Sequence, residues 1–103
     1  MSNVYSTTYD GGKQIYTIWN GKMEINPAWL FPKMSNIGCE ICTYSYYENK
    51  IDLFGNYPKE KFIQLKKFFY DSFPYTSTIE ARNYGLRIHF QIPVTIVNQD
   101  TFN

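Results

Sequence analysis

The residues best suited to chemistry are two cysteines, spaced as Cys39-x-x-Cys42, and one histidine, His89. Zinc sites use this cysteine spacing because a tight turn brings both thiolates to one tetrahedral ion. A site here would also need His89 and a carboxylate, and no spacing in the sequence supports that set. Redox motifs place the reactive cysteine at a helix N-terminus, whereas these cysteines lie in a predicted strand, whose positions i and i+3 face opposite sides. We interpret them as two small, partly buried thiols and expect no metal and no cofactor.

The remaining candidate groups form no catalytic constellation in the sequence. His89 alternates with apolar residues, which predicts an outward-facing strand position beside Arg87, either exposed or hydrogen-bonded. No serine or cysteine adjoins it as a nucleophile. The Asp-Gly-Gly-Lys stretch at 10–13 lacks the strand–loop–helix context of a phosphate-binding loop. We therefore expect a protein without catalytic residues, which is not an enzyme.

The composition favours binding over catalysis. Ten Tyr, eight Phe and two Trp stand against the single histidine, and aromatic side chains supply large, rigid contact area at little cost in conformational entropy. The net charge is only +1, so any attraction to nucleic acid must come from a local patch.

The chain also carries compositional hints about where it acts. Residues 1–10 lack the pattern of a signal peptide, and no apolar run approaches the roughly 18 residues that span a bilayer. With only two cysteines, a disulfide framework is not expected. These features predict a cytoplasmic protein without membrane contact. The abundant Tyr, Asn, Ile, Lys and Phe have AT-rich codons, which many phages and archaeal viruses favour, so we hypothesise a viral accessory protein in the host cytoplasm.

Turn residues predict a hairpin-rich N-terminal half. The ranges 4–9 and 13–19 are predicted strands on either side of Asp-Gly-Gly at 10–12. Asn20-Gly21 favours a type I′ turn that begins a third strand. The register that follows pairs Trp19 with Lys22, Thr17 with Glu24, Ile18 with Met23 and Tyr16 with Ile25, with the last two pairs on the apolar face.

The rest of the chain predicts further strands and one helix. Residues 26–36 are predicted irregular, because Pro27 and Pro32 forbid a continuous ladder. The ranges 37–47 and 50–54 are predicted strands, and 78–82 and 86–92 a closing hairpin that ends at Pro93. An amphipathic helix is predicted at 59–73, with a buried stripe formed by Phe62, Leu65, Phe69 and Phe73.

These elements predict an α+β fold in a single domain, 1–103. Its core is a twisted antiparallel β-sheet, or partial barrel, built from hairpins. One helix cannot bury its apolar stripe alone, so it is expected to pack on one face of that sheet.

The leading functional hypothesis is a protein-binding surface formed by aromatic residues that the core does not need. Trp19 beside Lys22 is either an interface anchor or a cross-strand cation–π pair. The loop at 26–36 either exposes its aromatics or folds back over the sheet, and the tyrosines at 44–47 either bind or sit half-buried at the water edge. A homodimer formed through a sheet edge or the aromatic face is expected alongside. The predicted partner-binding residues are Trp19, Lys22, Trp29, Phe31, Tyr44 and Tyr46.

The alternative hypothesis is a nucleic-acid-binding module on the outer face of the predicted helix. Its lysines would contact phosphates while the tyrosine ring stacks on a base. Glu60 and Asp71 flank this face and dilute its potential, so an ordinary solvated helix face is the commoner explanation. The residues of this face are Lys59, Ile63, Lys66, Lys67 and Tyr70.

Overall fold

The computed structural model describes residues 5–97 and confirms the α+β class. Within that range eight strands form two four-stranded sheets accompanied by two helices, where one sheet and one helix were expected. No helix in the described range is long and apolar enough to cross a membrane. Sheet 1 has the order β1 (Tyr5–Asp10), β2 (Lys13–Trp19), β3 (Lys22–Ile25), β8 (Val94–Ile96). Sheet 2 has the order β4 (Glu40–Tyr47), β5 (Lys50–Asn56), β7 (Gly85–Phe90), β6 (Thr76–Arg82).

The β2–β3 hairpin has the predicted register. Trp19 pairs with Lys22 and Thr17 with Glu24. Positive φ angles of 54° at Asn20 and 71° at Gly21 fit the type I′ turn that Asn-Gly favours. Both faces of this hairpin are partly covered, however, because Thr17 and Glu24 are buried as well as the apolar pairs.

The prediction of an irregular segment at 26–36 is wrong, because the chain forms helix α1 (Pro27–Ile37) there. Asn26 caps this helix by accepting a hydrogen bond from the backbone N–H of Ala28 at 3.1 Å. Pro27 takes the first helical position, where its missing N–H costs nothing. Pro32 lies inside the helix and removes one backbone hydrogen bond, while burial of the apolar face stabilises the helix against that loss. The buried residues of α1 are Trp29, Leu30 and Met34.

Helix α2 (Phe62–Ser72) confirms the predicted apolar stripe, and a short 3₁₀ turn (Lys59–Lys61) precedes it. Leu65 and Phe69 are fully buried, as is Phe73 just past the helix end. The hydroxyl of Thr76 donates to the carbonyls of Phe69 and Phe73 and satisfies the last turn. The stripe therefore forms the centre of the core between the two sheets.

Strand β8 connects the two sheets and was not predicted. It pairs in parallel with β3, so Met23 lies opposite Val94. The N–H of Val94 also donates to the carbonyl of Glu48, in the turn of sheet 2, at 2.9 Å. Pro93 ends the β7 hairpin as expected, but the chain then crosses from one sheet to the other.

Candidate partner-binding surface

Strand β4 forms one edge of sheet 2 and is exposed along almost its whole length. Its side chains Tyr44, Tyr46 and Tyr47 are 38%, 39% and 46% exposed. Its single charged residue, Glu40, is its first one. Proteins usually protect exposed edges with charges or short strands, but this strand is eight residues long and has no charged residue after Glu40.

The pairing of β5 shows which backbone groups of β4 point outward. The N–H of Gly55 donates to the carbonyl of Tyr84, so odd-numbered residues of β5 bond toward β7 and even-numbered ones toward β4. Asp52, an even-numbered residue, pairs with Ser45. Since bonding direction alternates along a strand, Tyr44 and Tyr46 present their N–H and C=O groups to the free edge. No strand in the described part of the chain pairs with that side of β4.

Helix α1 and β4 enclose a hollow of about 270 Å³ beside this edge. Phe31 of α1 packs on Tyr44 with ring centroids 5.3 Å apart. The ladder between β4 and β5 shifts register between Ile41 and Thr43, where Cys42 is the extra residue of a β-bulge. Cys42 is exposed. The hollow is lined by Phe31, Ile41, Cys42, Thr43 and Tyr44.

Gly55 permits the close contact between β5 and β4 at the bulge beside this hollow. An added Cβ there would lie 1.9 Å from the carbonyl oxygen of Glu40, so only glycine permits β4 and β5 to approach this closely at the bulge. Sequence reasoning did not assign Ile41 and Cys42 to the surface, because the bulge that turns them toward Phe31 is set by the pairing partner.

The opposite edge of sheet 2, strand β6, is better protected. It carries Glu80 and Arg82, which are 3.9 Å apart. Edge charges of this kind oppose pairing with another strand. The segment Thr43–Tyr47 of β4 has no charged residue, so it is the edge of this sheet that favours an added strand.

The prediction that Trp29 belongs to an exposed surface is wrong, because it is only 7% exposed. Its ring stacks on Phe68, and its Nε1 donates to Oδ2 of Asp10 at 2.9 Å. That hydrogen bond, together with Lys33, holds the pKa of Asp10 below its ordinary value. The segment folds back over the sheet, and Trp29 belongs to the core.

The other predicted partner-binding residues divide into two groups. Phe31, Tyr44 and Tyr46 lie together at the β4 edge. Trp19 is 38% exposed and lies with Lys22 at the β2–β3 turn of sheet 1. The six predicted residues therefore do not form one surface.

The face predicted for nucleic acid is solvent-facing in α2, but several of its groups are engaged. Lys67 pairs with Asp71 at 3.0 Å, and the hydroxyl of Tyr70 donates to the carbonyl of Ser77. The ammonium of Lys66 lies 5.6 Å from the ring centroid of Phe62. Ile63 is 80% exposed, and Lys59 lies in the 3₁₀ turn before the helix.

Charged pairs cross the outer face of sheet 2. Arg87 donates two hydrogen bonds to Asp52, at 2.7 and 3.0 Å, and His89 lies 2.7 Å from Glu80. The hydrogen bond from Arg87 lowers the pKa of Asp52, and the hydrogen bond with His89 lowers the pKa of Glu80. His89 is thus a hydrogen-bonded strand residue beside Arg87, as predicted. Among the described residues no three His, Cys, Asp or Glu side chains come together as a metal site.

The two cysteines have opposite environments, which gives a direct test of the β4 geometry. Cys39 is 2% exposed, and burial raises the pKa of its thiol to about 11, whereas Cys42 is exposed. Since only the thiolate reacts rapidly, N-ethylmaleimide at pH 7.5 should modify Cys42 alone. Intact-mass measurement should show one adduct on the native protein and two in denaturant. Two adducts at equal rates on the native protein would contradict the burial of Cys39.

Comparison with known proteins identifies no family for this chain. A scan against protein-family models, a search of curated proteins and a search of solved structures each find no match. The functional conclusion therefore rests on the geometry of the β4 edge and the hollow beside it.

Proposed function

We propose that this chain is a non-enzymatic protein-binding module that receives an extended segment along strand β4. The observation that carries the proposal is the edge of β4 at Tyr44 and Tyr46, with which no described strand pairs, next to the hollow that Phe31 lines. In strand addition, main-chain hydrogen bonds supply affinity and side-chain pockets supply specificity. This edge offers both.

The chemistry of the residues supports binding rather than catalysis. The thiol of Cys39 stays protonated near neutral pH because burial raises its pKa to about 11, so it is a poor nucleophile. His89 is hydrogen-bonded to Glu80, a carboxylate and not the hydroxyl or thiol that a histidine base would activate. A role as a viral accessory factor remains part of this proposal, and the codon preference implied by the composition supports it.

Binding of nucleic acid through α2 is the less supported alternative. Lys67 and Tyr70 already have partners within the protein, and Asp71 places a negative charge on the same face. Contacts to phosphate need free cations. By contrast, Tyr44 packs on Phe31 and Tyr46 is 39% exposed, so both present aromatic surface at the β4 edge.

A tagged-bait experiment separates the two functions. The bait is a tagged copy of the chain, prepared as wild type, Y46K and Y84K. Each bait is incubated in nuclease-treated extract that also contains an untagged copy of the chain, and the protein that it captures is measured. Tyr84 is 68% exposed and lies outside β4, so Y84K is a matched control. Loss of an interface tyrosine costs about 2 kcal/mol at a hot spot, so Y46K should reduce capture at least about tenfold while Y84K leaves it unchanged.

The bait K66E/K67E tests the alternative in the same extract. Capture that survives in Y46K but fails in K66E/K67E, and that occurs only in a parallel extract left without nuclease, would contradict binding through β4. A W19A bait asks whether Trp19 contributes a second contact. Urea denaturation of each variant verifies that it remains folded.

A further inference from the structure

We infer that the segment received along β4 is β4 of a second copy, paired antiparallel about a twofold axis at Ser45. The inference rests on the proposed function, since it names the occupant of the same edge. Pairing on a twofold axis gives a closed dimer and joins two copies of sheet 2 into one continuous sheet.

The outward backbone groups select this register. Tyr44 and Tyr46 carry the free N–H and C=O groups, so each must lie in a hydrogen-bonded pair of the new ladder. Setting Tyr44 of one copy opposite Tyr46 of the other satisfies both residues in both copies. Ser45 then faces its own counterpart in a non-hydrogen-bonded pair. An axis at Tyr44 would bring the bulge at Cys42 into the ladder and break it.

The side chains fit the same register. Residues that lie opposite each other in an antiparallel pair share a face, so the tyrosine pairs fall on the face that Tyr44 shares with Phe31. Tyr46 of the second copy then lies beside Tyr44, at the mouth of the hollow. Each copy carries both a half-exposed Tyr46 ring and a hollow, so the two copies can make this contact reciprocally. Cross-strand aromatic pairs of this kind stabilise a sheet.

The charges also suit an antiparallel partner. Thr43–Tyr47 has no charged residue, so pairing opposes no like charges and buries no ion. Beyond the paired segment, Glu40 of one copy approaches the turn end of the other. There Lys50 lies on the outer face, with its ammonium 5.0 Å from the ring centroid of Tyr47. Glu40 lies on the same face, because its partner Asn56 and Lys50 are both even-numbered residues of β5. Glu48 in the turn offsets part of this attraction.

Charge pairs placed at the axis test the inference by sedimentation over a wide concentration range. S45K places two cations opposite each other only in the dimer, and should weaken dimerisation about fivefold or more. S45E should weaken it likewise. A mixture of S45K and S45E should recover the dimer, because the axis then pairs opposite charges. The matched control is S77K on strand β6, which should dimerise like wild type.

Several results would overturn the pairing. A wild-type chain that stays monomeric, an S45K chain that dimerises normally, or a mixture that shows no recovery would each do so. Should S45K fail to fold, alkylation of Cys42 in wild type replaces it, and a rate that does not fall as protein concentration rises contradicts the dimer. Tyr46-dependent capture of another protein by a monomeric chain would leave the proposed function standing and remove only this inference.

Discussion

Replacing Phe73 with alanine should lower the free energy of unfolding by about 3–5 kcal/mol, the usual cost of truncating a buried phenylalanine. Phe73 is 0% exposed and lies within 6.5 Å, between ring centroids, of four other aromatic rings. Those rings come from both sheets and both helices. A cavity there removes contacts from every layer of the fold at once. The four rings are Tyr16, Trp29, Phe69 and Phe90.

Urea denaturation followed by tryptophan fluorescence measures this loss. The matched control is I63A in α2, where the side chain is 80% exposed and the expected change is within about 0.5 kcal/mol. Equal effects for F73A and I63A would contradict the packing described here. Since Trp29 holds α1 against Phe73, F73A should also loosen the hollow under Phe31.

Replacing Gly85 with alanine should destabilise the fold by about 3 kcal/mol or more, from backbone strain and overpacking of about 1–3 kcal/mol each. Gly85 has a φ of 152°, and an added Cβ would lie 1.8 Å from the carbonyl oxygen of Leu53. That oxygen belongs to the backbone of the neighbouring strand, so it cannot move aside without breaking the ladder.

G12A separates the two contributions. Gly12 also has a positive φ, 88°, but nothing lies within 4 Å of an added Cβ. G12A should therefore lower the free energy of unfolding by only about 1–2 kcal/mol, the cost of placing a residue with a Cβ in the left-handed conformation. Urea midpoints of G85A and G12A that coincide would show that β5 and β7 are not as close as described.

Much of the fold follows from local sequence. Asn20-Gly21 determines both a turn type and a register, because few residue pairs adopt two positive φ angles in succession. The stripe through Leu65, Phe69 and Phe73 indicates its helix because only a period of 3.6 places those residues on one face.

Helix α1 was not predicted from the sequence, because proline in a segment usually indicates that neither a helix nor a strand continues through it. Pro32 does remove a hydrogen bond, but burial of Trp29 and Leu30 outweighs that loss. Such burial depends on Phe68 and Phe73, which lie more than 35 residues away, so no local pattern contains it. The exposure predicted for Trp29 was wrong for the same reason.

The candidate surface was partly predicted. Tyr44 and Tyr46 were placed on one face by strand alternation, and Phe31 was named with them. Their grouping with Trp19 is not observed, since that residue lies on the other sheet. Sequence alternation gives the side of a strand on which a residue lies, but it does not give the neighbours of that strand.

The sequence by itself determined the α+β class, the hairpin turns, the apolar stripe of α2 and the large excess of aromatic residues, because each depends on neighbours a few positions apart. Only the tertiary structure decided which aromatics the core uses and which strand is left at an edge. Strand order follows from contacts between distant segments, such as the parallel pairing of β3 with β8. Among the described strands, that order leaves β4 unpaired on one side, with Tyr44 and Tyr46 exposed there, and so makes it the binding surface proposed for this protein.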